Sequence, residues 1–391
     1  MSPPAPHLVD EIHEEIFLRL PDPAALARAS TACPRFRLII TDRSFLRRYR
    51  KRHPPPLLGF ADEDGFHPAE APHPSAPLAR ALADAADFTY SFVPRLNKEA
   101  WHPCDIRDGR VLLEGSPHWK VPRNLAVCDP LSRRYVLLPP IPGDPAIREQ
   151  HPLQIDPVLL PIGEDEDSVR DEDETSFKVI CFADCVTKLV AFVFSSTTQK
   201  WCIAASASWS SLVDRPQTCR EMRMRITGCR GVSCFYYVRG CFYSASPFVD
   251  KLLVLDTRKM VFSTVSDRTG YHAVLRWLPG QVESFIVNSD VPHRRRPFQL
   301  RSLPRVVAGR EGVLEMFSLV GDHTPNDSFD LHHTSSQQND CESSKDWQLE
   351  NITPLPGQYD YFTVGAAEGF LFLGATTESQ LDTLMNAPVC R

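Results

Sequence analysis

The sequence predicts an α+β multidomain protein: a small N-terminal all-α bundle followed by a large all-β domain, read as a β-propeller of about six blades. Three observations carry this reading. Apolar residues recur at the helical period between Leu8 and Arg50, short Val-, Ile-, Phe- and Tyr-rich runs fill the chain from Asp87 onward, and one hairpin-like pattern recurs three times among those runs. At 391 residues the chain suits about two domains and is long enough to bury a sizeable core.

The first helix is marked by Ile12, Ile16, Phe17 and Leu20, one stripe of a 3.6-residue period, and Pro21 ends it. Asp22 and Pro23 form an N-cap and first-turn pair for a second helix, whose apolar face holds Leu26, Ala29, Ala32 and Cys33. A third short helix follows Pro34 with Phe36, Leu38, Ile39 and Ile40, and Ser44 is placed to cap a fourth carrying Phe45, Leu46 and Tyr49. Residues 1–50 therefore form a bundle of four short helices. Such a bundle is small for a self-sufficient core, so it either caps the next domain or docks on a partner.

Residues 51–86 read as a proline-rich linker, because "RHPPPLLGF" is stiffened by prolines and the stretch after it has no clear period. Residues 87–391 read as β throughout. The segments "VCDPLSRRYVLLP", "FVFSSTTQKWCIA" and "VLDTRKMVFSTV" align as an apolar run, a turn opened by Asp129, Ser195 or Asp256, and an aromatic six residues later: Tyr135, Trp201 or Phe262. Each copy reads as a hairpin, and hairpins repeated along a chain point to propeller blades of about 40–50 residues. Two polar stretches read as solvated insertions, near 161–175, with eight carboxylates between Glu164 and Glu174, and near 321–346.

Composition narrows the function. A net charge of −6 with both signs mixed argues against a nucleic-acid binder and favours a protein partner. No apolar stretch is long enough to span a membrane, and the twelve scattered cysteines lack CxxC pairs, which points to reduced thiols and a cytoplasmic or nuclear location. The sequons at Asn326 and Asn351 are then chance matches.

The familiar catalytic motifs are not present: no phosphate loop, no dinucleotide fingerprint, no GxSxG and no HExxH. Cys181 and Cys185, in a strand-like stretch with Val179 and Ala183, read as packed thiols on one face rather than zinc ligands. His323, His332, His333 and Cys341 lie in the second polar stretch without finger spacing, and the Cys and His of "WHPCD" are neighbours only in sequence. The basic cluster at Arg294–Arg296 reads as a solvated loop between strands, and that at Arg47–His53 as a solvated helix face. No metal and no cofactor is expected.

The residues Leu8, "EEIFLRLPDPAALARAS" and "CPRFRLIITDRSFLRRYR" together resemble the F-box of plant, grass-type F-box proteins. "LAVCDPLSRRYVLLPPIP", "GCFYS", "LLVLDTRKMVFSTV" and "ITPLPGQYDYFTVGAAEGFLFLG" are similar to the F-box-associated β domains that accompany it. The resemblance implies docking on a Skp-type adaptor, and through it a cullin, with the β domain presenting an unidentified target protein for ubiquitination. The receptor itself is not an enzyme. Positions matching the adaptor-facing pattern are Leu8, Ile12, Ile16, Leu20, Pro21, Leu26, Cys33 and Phe36, of which some must fill the bundle's own core. Val9 stands where the family usually has proline, which weakens adaptor binding on this reading, and Phe36 stands where it often has tryptophan. The alternatives are an adaptor-independent scaffold that binds partners through the β domain and a propeller enzyme with a helical cap.

Overall fold

The computed structural model describes residues 9–21, 23–53, 56–62, 64–95, 100–115, 124–142, 154–161, 176–185, 187–212, 235–245, 251–266, 305–308, 313–321, 329–337, 347–357, 359–367 and 370–376. The chain divides into two compact units between Leu58 and Gly59. The first is helical and the second is built of antiparallel sheets.

The helical unit has the four expected helices: α1 (Asp10–Leu18), α2 (Pro23–Ala32), α3 (Pro34–Ile40) and α4 (Arg43–Arg52). Proline opens both α2 and α3, where its missing N–H leaves no intrahelical bond unmade. The cap of α4 is Asp42 rather than Ser44: its Oδ1 accepts from the N–H groups of Ser44 and Phe45 at 2.8 and 3.1 Å. A carboxylate there also opposes the positive end of the helix dipole. Asp22, expected to cap α2, lies outside the described residues. The core of the unit is Phe17, Leu18, Leu26, Ile40, Phe45 and Tyr49, with Leu20, Ala29, Phe36, Ile39 and Leu46 packed against it.

The stretch expected to be a linker is structured. It forms a hairpin, β1 (Gly59–Asp62) with β2 (Gly65–Pro68), and a helix, α5 (Ala76–Ala85). Phe66 stacks on Phe88 at 4.5 Å, so aromatic contacts anchor a segment whose proline content had suggested an unfolded spacer. From Gly59 on, these residues belong to the β unit.

Four four-stranded meanders follow in chain order. The first is β3 (Trp101–Arg107), β4 (Arg110–Gly115), β5 (Leu125–Asp129) and β6 (Arg134–Leu137). The second is β7 (Gln154–Leu160), β8 (Lys178–Asp184), β9 (Lys188–Ser195) and β10 (Lys200–Ser208), followed by a short helix, α6 (Trp209–Leu212). The third comprises β11 (Phe235–Val238), β12 (Cys241–Ala245), β13 (Lys251–Asp256) and β14 (Val261–Ser266). The fourth comprises β15 (Arg305–Ala308), β16 (Val313–Gly321), β17 (Phe329–Gln337) and β18 (Gln348–Pro354), and a two-stranded sheet of β19 (Asp360–Ala367) and β20 (Phe370–Thr376) ends the described chain.

Successive sheets share cores, and the second and third sheets each feed both neighbours through alternate side chains. In β8, Val179, Cys181 and Ala183 enter the core shared with the first sheet, whereas Ile180 and Phe182 enter the one shared with the third. A strand buried on both faces reads as a continuous apolar run rather than an alternating one, as "FKVICFA" does. Cys181 and Cys185 pack in the same core, on the same face as Val179 and Ala183. Burial, and then the neighbouring Asp184, pushes the Cys185 thiol up to about 11, so it stays protonated near neutral pH.

The polar stretch near 321–346 is also corrected in part. β17 runs through it and pairs with β16 on one side and β18 on the other, placing His332 and His333 in a strand. Thr334 and Ser336 are buried, and the Thr334 hydroxyl donates to the Met316 carbonyl at 3.2 Å. Two-sided pairing thus overrides a polar composition. The acidic insertion near 161–175, His323, Cys341, Arg294–Arg296 and Asn326 fall mainly or wholly outside the described residues. No described helix is long and apolar enough to cross a membrane.

Candidate partner-docking face

Helix α1 has apolar residues on both sides. Phe17 and Leu18 point into the bundle core, and Val9, Ile12 and Ile16 remain 53%, 45% and 44% exposed. At 3.6 residues per turn Ile12 and Ile16 fall about 40° apart, on the side away from Phe17 and Leu18, and Val9 precedes them at the N-cap. A helix that needed only to cover its own core would place polar residues there. Leu38 on α3, a residue not singled out from the sequence as a docking position, is 74% exposed.

The surrounding polar side chains hold this helix in place. Arg35 of α3 pairs with Asp10, Arg48 of α4 with Glu14, and Arg19 with Glu15 within α1. Exposed pairs of this kind contribute about 0–1 kcal/mol each, so they orient α1 more than they stabilise it. The end of α1 is better secured: the Tyr49 hydroxyl donates to the Leu20 carbonyl at 2.8 Å, and His53 Nε2 lies 2.7 Å from the Leu18 carbonyl oxygen. Tyr49 of α4 and His53, its C-cap residue, therefore serve carbonyls that the end of α1 leaves without intrahelical partners.

The expected adaptor-facing residues divide between surface and core. Ile12, Ile16 and Pro21 are exposed, Leu20, Cys33 and Phe36 are half-buried, and Leu26 is buried in the core. Leu8 lies outside the described residues. Phe36 packs edge-on against Phe17 at 5.1 Å and against the His13 ring at 5.0 Å. Cys33 acts as the N-cap of α3, its sulfur accepting from the Phe36 N–H at 3.4 Å. Leu26 and Cys33 are thus accounted for by the bundle itself, and the sequence stripe around Ile12 and Ile16 turns out to mark an outer face as well as an inner one.

Val9 occupies the N-cap position of α1 in extended conformation, with φ −73° and ψ 159°. Its carbonyl accepts from the N–H groups of Ile12 and His13, and its side chain caps nothing. That φ is within the range that proline fixes.

No family model matches the chain, and no curated protein matches it. Among solved structures, the β-propeller domain of Nup133 from Vanderwaltozyma polyspora aligns with 75% of this chain and 60% of that one, at 8% identity and a TM-score of 0.19. The chain therefore spans less than two thirds of that domain, and a likeness at this TM-score carries no argument about fold or function.

Proposed function

We propose that this chain is a substrate-recognition subunit of an SCF-type ubiquitin ligase, of the plant, grass-type F-box class. The helical unit docks on a Skp-type adaptor and thereby on a cullin. The β unit holds a target protein. The observation that carries the reading is the exposed apolar stripe of Val9, Ile12 and Ile16 on the outer side of α1, in a bundle whose core is already filled by other residues. An apolar surface retained by a fully folded module fits a protein partner.

The β unit is proposed to be a propeller of about six blades. Support comes from the succession of four-stranded meanders, from cores that, among the described residues, join sheets successive in the chain, and from the first strands, where β3 lies against β7, β11 against β15, and β15 against β19. The hairpin β1–β2 and the pair β19–β20 are read as parts of further blades. The receptor makes no covalent bond and needs no cofactor. It raises the effective concentration of target lysines near the charged ubiquitin carrier, in the cytoplasm or the nucleus.

The test is co-purification of the full chain with a Skp-type adaptor and cullin, comparing wild type with Ile12→Asp/Ile16→Asp. Both positions are exposed, so the double variant retains its core. Retention of both partners by wild type and their loss from the folded variant is the expected result. A folded wild type that retains neither leaves the scaffold reading, in which the β unit binds partners without ubiquitin transfer.

A further inference from the structure

The first strands of three successive sheets meet at one arginine. Arg107, at the end of β3, donates from Nε to Asp105 Oδ2 at 3.1 Å. The same Oδ2 accepts from the Leu159 N–H of β7 at 2.8 Å, and Asp105 Oδ1 accepts from the Ile106 N–H at 2.9 Å. The guanidinium carbon lies 5.6 Å from the centre of the Tyr237 ring of β11, within cation–π range. Asp105 is therefore fixed by two backbone donors, and Arg107 is fixed by Asp105 on one edge and by an aromatic ring beside it.

None of these contacts uses the terminal nitrogens. Among the described residues, Nη1 and Nη2 of Arg107 have no hydrogen-bond acceptor, and the side chain remains 25% exposed. They supply four N–H donors, and one edge of the guanidinium has the planar fork that matches two oxygens of a carboxylate or a phosphate. Holding the group before a ligand arrives removes much of the side-chain ordering that binding would otherwise require. Lysine at this position would supply the charge but neither the Nε anchor nor the fork.

We infer that Arg107, positioned by Asp105, Leu159 and Tyr237, is a binding site for an oxyanion, carboxylate or phosphate, where β3, β7 and β11 converge. Within the receptor reading this is where an acidic or phosphorylated side chain of the target is held. The site lies wholly in the β unit, so it stands or falls separately from adaptor docking.

The experiment is a titration of the full chain, with no adaptor present, by inorganic phosphate and in parallel by acetate, following the arginine guanidinium resonances by NMR at constant ionic strength. Arg107→Gln identifies the Arg107 signal. Saturable movement of that signal at millimolar ligand, beyond the drift of the other arginines, is the expected result. The stronger of the two ligands then names the source of the anion. An Arg107 signal that drifts only as the other arginines do under both ligands overturns the inference. Arg107→Lys, which keeps the charge, is expected to weaken the favoured ligand at least tenfold, measured by displacement of a fluorescent anionic probe. Undiminished affinity in that variant would show that charge alone was responsible and would also overturn it.

Discussion

At Val9 the backbone already has a proline-compatible φ, and the N–H at an N-cap makes no intrahelical bond. Val9→Pro is expected to stabilise the unit by about 0.4–1 kcal/mol through the unfolded chain, measured by thermal or urea unfolding. On the receptor reading it also tightens adaptor binding. Asp184 is a second informative residue. Burial, and then the like charge of Asp156, pushes its carboxyl up from the ordinary range to about 7, and its Oδ1 has no hydrogen-bond partner among the described residues. The folded chain then keeps a proton that the unfolded chain releases near pH 4, so this group's contribution to stability is complete in acid and is lost as pH rises from about 4 to about 7. Asp184→Asn is expected to remove that decline and to melt higher than wild type above pH 7. A variant with the same pH slope as wild type would show that Asp184 is not its source.

At the scale of elements, the three repeated segments are all hairpins: β5–β6, β9–β10 and β13–β14. Asp129 and Asp256 open their turns as read from sequence, each accepting two backbone N–H groups through Oδ1. Asp256→Ala is expected to cost about 1 kcal/mol in urea unfolding, since it frees those two donors. What the sequence hid is the left-handed residue four positions after each turn opens: Arg133 at φ 56°, Gln199 at 57° and Met260 at 51°. Arginine, glutamine and methionine give no turn signal, because a left-handed conformation costs such residues about 1–2 kcal/mol and is imposed here by the strands on either side. Arg133→Gly is expected to raise stability by up to about 1 kcal/mol in the same assay, the relief being offset in part by the entropy glycine adds to the unfolded chain. The repeated aromatics also diverge. Trp201 and Phe262 are buried, and Trp201 donates from Nε1 to the Pro139 carbonyl at 2.8 Å, whereas Tyr135 is exposed. Sequence spacing identified the strand position but not how much of it a neighbouring sheet would cover.

At the scale of the molecule, the division into a small helical unit and a large sheet-built one was legible because helical and strand periodicities differ and each is sustained over many residues. The boundary was misplaced. Proline density between residues 51 and 86 concealed a hairpin and a helix held by tertiary contacts, such as the Phe66–Phe88 stack, that no local pattern encodes. The exposed apolar side of α1 was legible in part. Ile12 and Ile16 belong to the expected set and are exposed, Leu26 belongs to the same set and is core, a division the sequence left open, and the exposed Leu38 was not singled out, because a periodic stripe does not say which side of a short helix the neighbouring helices will cover. The oxyanion site had no local signal at all, since Arg107, Leu159 and Tyr237 are brought together only by the packing of three sheets.

The central claim, that the outer side of α1 is an adaptor-docking surface, is tested most directly by the dissociation constant of the purified full chain for a Skp-type adaptor, measured calorimetrically for wild type and for Ile12→Asp/Ile16→Asp. Burying an aliphatic side chain of this size is worth about 1.5–3 kcal/mol. The account therefore predicts measurable binding by wild type and at least a hundredfold loss in a double variant whose circular dichroism and melting are unchanged. Equal affinity for both chains, or no heat of binding from a folded wild type at any temperature tried, would contradict it.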